Sequence, residues 1–108
     1  MIIIVSKYLI PKGFRGLTVF PFVVLKYRES KNDLTLMNHE KIHLRQQLEL
    51  LILPFFIWYG LEFLIRLLIH RNRHLAYQLI SFEREAYGNE KNLDYLEQRS
   101  FLRFLNYI

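Results

Sequence analysis

The stretch LMNHEKIHLRQQ, residues 36–47, carries two of the four histidines and fixes how the rest of the chain is read. On a helix, His39 and His43 stand one turn apart on the same face, so both imidazoles reach a single metal ion. Glu40 lies roughly 100° further round the helix, where it reaches a water on that ion rather than the ion itself. Zinc held this way lowers the pKa of its water to about 7, and a neighbouring carboxylate then takes the proton as general base. The pattern needs a third ligand from elsewhere in the chain, so it requires a second element packed beside the first.

The bounds are tight. A chain of 108 residues has room for one domain, 1–108, and one modest core. It is 52% hydrophobic with nine Phe and seven Tyr, which excludes a disordered chain. It has no cysteine, so disulfides and thiolate metal sites are excluded and any zinc must use His and carboxylate. The net charge of +5 favours an anionic partner such as a phospholipid surface. Nucleic acid is disfavoured, because HRNRH (70–74) is the single basic cluster and no nucleic-acid-binding module accompanies it. The N-terminus MIIIV lacks the basic flank and cleavage pattern of a signal peptide and reads as a short buried strand. The absence of cysteine is compatible with a cytoplasmic protein, membrane-associated or free.

Residues 1–27 are strand-like: MIIIV, then GLTVFPFVVLKY after the turn PKGFRG, with Pro21 splitting the second piece or placing it at a sheet edge. RESKND (28–33) is a loop, and Asp33 or Thr35 is positioned to cap a helix running from about residue 35 to Leu53, before Pro54. Further helices are expected over 55–69, 75–87 and the tail, whose apolar stripe would be Leu93, Leu96, Phe101 and Leu105. The expected class is therefore α+β, with a small N-terminal sheet followed by three to four helices. In residues 50–69, sixteen of twenty positions are apolar, but Pro54, Gly60, Glu62 and Arg66 interrupt them. This segment reads first as a core helix, with a membrane span or shallow interfacial docking as alternatives. Glu62 and Arg66 have the spacing of an ion pair along one face.

For the third ligand, a His at 49 after a Gly at 46 would make a metzincin-type site, but Gln46 and Glu49 stand there. A Glu from a later helix is the other option, and ISFEREAYGNE (80–90) offers Glu83, Glu85 and Glu90. Glu83 shares a face with Ala76, Ile80 and Ala86, an inward stripe, whereas Glu85 falls with Gln78 and Ser81 on the wet side. A buried carboxylate needs compensation, which a metal ion provides and which an ion pair with Arg66 would provide otherwise. Glu83 is the expected third ligand. Forty positions from His43 to Glu83 accommodate one helix out and a return. Gln46 and Gln47 follow His43 on the same helix and read first as solvent-facing surface, with contact to substrate or to a ligand as the alternative; His70 and His74 read as part of a basic turn.

NHEKIH followed by FEREAY resembles the gluzincin class of zinc metallopeptidases and, in size, the single-domain minigluzincins. The resemblance covers about residues 34–90. It implies zinc on His39, His43 and Glu83, Glu40 as catalytic base, and a peptide or protein substrate. Membrane-linked gluzincins place Asp four residues after the ligand Glu, where this chain has Tyr87, either a hydrogen-bonding group at the site or a core residue. An extended substrate is expected along the sheet edge near residues 17–25. Some minigluzincin-like proteins are described as latent, and by that resemblance the tail 92–108, with Arg99 and Arg103, would occupy the cleft or else close the core. The alternative function is a non-catalytic, membrane-associated or interaction protein with a structural metal or none.

Overall fold

The β-branched runs at the start form three four-residue strands in a computed structural model that describes residues 1–108. They are β1 (Ile2–Val5), β2 (Gly16–Val19) and β3 (Phe22–Leu25), in the order β1-β3-β2. β1 runs parallel to β3 with Ile2 opposite Phe22, and β2 runs antiparallel to it with Gly16 opposite Leu25. Pro21 lies in the β2–β3 turn, where no ladder amide is needed, behind a cis Phe20–Pro21 bond. Helix packing covers mainly the central strand: Val23, Leu25 and Met37 form one core cluster. β1 is a partly exposed edge rather than the buried strand its composition suggests, with Ile2, Ile4 and Val5 open to solvent.

A 3-10 turn (Arg28–Asn32) leads into α1 (Leu34–Glu49). Of the two candidate caps, Asp33 does the capping, accepting from the Leu36 amide at 3.1 Å. α1 ends earlier than expected, because Leu51 and Ile52 take left-handed φ of 61° and 60°. Pro54 therefore opens α2 (Leu53–His70), in the first turn where its missing N–H is harmless. Phe55 is the only buried residue of α2, so the core-helix reading of this segment is corrected.

The single helix expected over 75–87 is two, α3 (Arg73–Leu79) and α4 (Ser81–Asn89), broken at an extended Ile80. Two forces make the break. Ile80 turns into a second core cluster with Phe55, Phe82 and Phe104. Glu62 of α2 accepts hydrogen bonds from both the amide and the hydroxyl of Ser81, at the start of α4. Glu62 is thereby committed to α4 and forms no ion pair with Arg66. The tail is likewise not one helix but α5 (Tyr95–Gln98) and a 3-10 turn (Arg103–Tyr107), separated by an extended Arg99 and a left-handed Leu102. The expected stripe fails with it: Leu93, Phe101 and Leu105 are exposed while Phe104 is buried.

Candidate metal centre

α1 lies between the sheet and α4, and this sandwich buries both of its working faces. Toward α4, His39, His43 and Glu83 are each buried and converge as a candidate metal-holding group. Glu83 Oε1 stands 3.3 Å from His39 Nε2 and 3.0 Å from His43 Nε2, and the two Nε2 atoms are 3.1 Å apart. Metal–ligand bonds of about 2.0–2.1 Å in tetrahedral geometry require ligand atoms about 3.3 Å apart. The triangle has those dimensions within a few tenths of an ångström. Three carboxylates (Glu40, Glu83 and Glu90) surround two imidazoles here, a charge balance that a divalent cation offsets.

The remaining polar atoms of this triangle are already engaged. Glu90 Oε2 accepts from His39 Nδ1 at 2.7 Å. Gln46 Oε1 accepts from His43 Nδ1 at 2.8 Å, while Gln46 Nε2 donates to the Phe82 carbonyl and to Glu85 Oε1. Since Glu85 only accepts, the amide of Gln46 has one orientation, and Nδ1 of His43 bears a proton. Both Nε2 atoms are thus the ones turned to the cleft, the arrangement that metal-ligating histidines require. Tyr59 of α2 donates to Glu83 Oε2 at 2.7 Å. In the metal-free protein, burial alone would lower His43, but the Glu83 carboxylate overrides it and holds its pKa up to about 9. Burial likewise works against the Glu83 carboxylate, yet the two imidazoles hold its pKa well below the usual range. Burial and the nearby Glu83 push the phenols of Tyr59 and Tyr77 up, so both stay neutral donors.

Toward the sheet, Glu40 is buried and accepts from Thr18 Oγ1 at 2.5 Å. A Cβ on Gly16 would stand 2.7 Å from Glu40 Oε1, so β2 carries glycine where the carboxylate passes. Gln47 reaches the other end of β2, donating to the Thr18 carbonyl at 2.7 Å and accepting from the Phe20 amide at 2.6 Å. A cavity of about 500 Å³ opens over His39, Glu40, His43 and Glu83, walled by Leu17, Tyr59, Phe63 and Tyr77, with Arg73 and His74 also in its lining. Phe14 meets Tyr77 edge-on at 5.0 Å across this opening.

Five site residues were missed or misread from sequence. Glu85, assigned to the wet side, is fully buried: Arg99 donates to both of its oxygens and Tyr95 donates at 2.6 Å. Gln46 and Gln47 are buried, not solvent-facing. Glu90, offered as a third carboxylate but given no role, orients His39 and stands outside the metal-holding group. Asn38 donates to the carbonyls of Asn89, Glu90 and Asn92, holding α1 against the end of α4. Tyr87 is neither buried nor bonded to a ligand; its ring packs edge-on against His39 at 4.5 Å and its hydroxyl meets that of Tyr77. The tail does not enter the cavity, and Arg99 pairs with Glu49 and Glu85 behind His43. Arg66 does not pair with Glu83. Compared with models of known protein families, with curated proteins and with solved structures, the chain matches none.

Proposed function

We propose that the chain is a zinc-dependent peptide hydrolase. The observation that supports this most is the triangle of His39, His43 and Glu83, of tetrahedral-face dimensions, with Glu40 held beside it and outside it. Two imidazoles and one carboxylate are a donor set suited to zinc with an open fourth position. Bound there, zinc supplies a water acidified to about pKa 7 and polarisation of the scissile carbonyl. The chain's own groups do the rest. Glu40, steadied by Thr18, takes the proton of the attacking water and delivers it to the leaving amine. Tyr59 keeps Glu83 from swinging away, and Glu90 and Gln46 hold the two rings. An extended peptide lies along β2, the edge strand. Gln47 already occupies the outward Thr18 carbonyl and Phe20 amide, so the open part of the edge is at Gly16, beside Glu40. A substrate side chain enters the cavity walled by Leu17, Tyr59 and Phe63, which suits an apolar or aromatic residue.

Metal analysis of protein purified without added zinc, together with Glu40→Gln, tests the reading. Near-stoichiometric zinc is expected in both proteins, with turnover of a generic peptide lower by about 10²–10⁴-fold in the variant. Protein that stays zinc-free after zinc addition refutes the metal site. Zinc-loaded protein with no turnover, matched by the variant, leaves a structural metal.

A further inference from the structure

α2 is arranged inside out. Its polar side chains face the protein: Tyr59 bonds Glu83, Glu62 caps α4, and Arg66 is half-buried. Its outward positions are apolar throughout from Leu53 to Ile69. Ile57, Leu61, Leu64 and Leu68 follow one another at helical spacing and are 51–68% exposed, with Ile65 and Ile69 beside them. A helix packed on a protein in water carries the opposite pattern, with charge outward. An uninterrupted apolar face along 18 residues, about 27 Å of helix, marks an interaction surface.

The two ends of that face identify what covers it. Its C-terminal end runs directly into His70, Arg71, Asn72, Arg73 and His74, all exposed, and no acidic side chain lies outward between Leu53 and His74. A second copy packed by two-fold symmetry would set this basic turn against its own counterpart or against the positive N-terminal end of the partner helix. Neither offers a counter-charge. An anionic phospholipid surface offers both halves at once, acyl chains for the apolar face and phosphate for Arg71 and Arg73. We infer that α2 docks in the plane of an anionic membrane, its outer face sunk to the acyl boundary and residues 70–74 among the headgroups. The helix does not span, because its inner face carries Tyr59 and Glu62, which are bonded to α4. Tyr59, Phe63, Arg73 and His74 also line the cavity, so the cleft opens close to the lipid. This inference stands without a metal in the site.

The test is flotation of the full chain with vesicles of phosphatidylcholine alone and of phosphatidylcholine with phosphatidylglycerol. Trp58, the single tryptophan, lies on the same helix and reports insertion by fluorescence. Flotation with the anionic vesicles and a blue shift of Trp58 are expected. Leu61→Gln/Leu68→Gln, both at exposed positions, should keep the circular dichroism and melting of the parent and weaken flotation at least about tenfold. Arg71→Gln should weaken it about fivefold, on anionic vesicles only. A parent chain that stays at the bottom of the gradient overturns the inference. So does flotation unaffected by the leucine substitutions. A lipid-free dimer that those substitutions dissociate, with no flotation, assigns the face to a second copy instead.

Discussion

Adding one methyl group at Gly16 separates the proposed catalytic step from metal binding. An alanine Cβ there would stand 2.7 Å from Glu40 Oε1 and 3.3 Å from its Cδ, where ordinary contact begins near 3.4 Å. Oε1 must therefore withdraw by about 0.7 Å, and the Thr18 hydrogen bond on the companion oxygen leaves it little freedom to do so without turning. The backbone at Gly16 needs no positive φ, so alanine adds no strain of its own. The obstruction is the end of a side chain, and the stability cost should stay near 1 kcal/mol. A displacement approaching 1 Å in a catalytic group costs about 10²-fold. Gly16→Ala is thus expected to keep zinc affinity and melting near those of the parent while kcat/KM for a generic peptide falls about 10²-fold. Gly60→Ala is the matched control, since its Cβ meets nothing within 4 Å. Parental turnover in Gly16→Ala would refute Glu40 as the base held in this position. Loss of zinc together with turnover would show that the methyl group disturbs the whole site.

Three further outcomes follow from the same contacts. Folding raises the His43 pKa from its ordinary value of 6.5 to about 9, so this group stabilises the metal-free protein fully below pH 6.5 and loses that contribution as pH rises to about 9. Melting of the zinc-stripped protein should reveal a loss of about 3 kcal/mol across that window, and a flat profile would contradict the His43–Glu83 pairing. Glu90→Gln weakens the acceptor on His39 Nδ1 and should lower zinc affinity about 10–100-fold, measured by competition with a chelator; unchanged affinity would remove Glu90 from the site. Truncation after Asn92 removes Arg99 and leaves Glu49 and Glu85 buried without their cation, a change worth about 3–5 kcal/mol before the loss of Phe104 is added. The truncated chain should lose its cooperative transition by differential scanning calorimetry, whereas a folded and more active fragment would restore an inhibitory role for the tail.

Where a face was defined by one helix and its neighbour, the sequence was readable. The spacing of His39, Glu40 and His43, the inward stripe around Glu83 and the Asp33 cap all depend on local periodicity. Misreadings arose where a third element intervened. Glu85 was placed outward by the helical wheel of residues 75–87, but that wheel breaks at Ile80, and the tail lays Arg99 over the outward side. Gln46 and Gln47 looked solvent-facing because one covered side of α1 was assumed, whereas the sheet and α4 cover two. The run 50–69 looked like core because apolar composition does not say on which side the packing lies. Its few polar residues, Tyr59 and Glu62, held the information, since their partners are inside.

Gln46 links His43 to Glu85, and Glu85 is the anchor of Arg99. The cleft and the docked tail therefore share one hydrogen-bonded chain that converges on Glu85, with His43 donating to Gln46, and Gln46 and Arg99 both donating to Glu85. Linkage makes such a chain reciprocal: whatever free energy the docked tail lends to metal binding, a bound metal returns to the tail. A metal bound at the proposed site would then register behind His43 as slower opening of residues 95–99, measurable by hydrogen exchange. The same linkage predicts that undocking the tail lowers metal affinity by the factor by which bound metal favours docking.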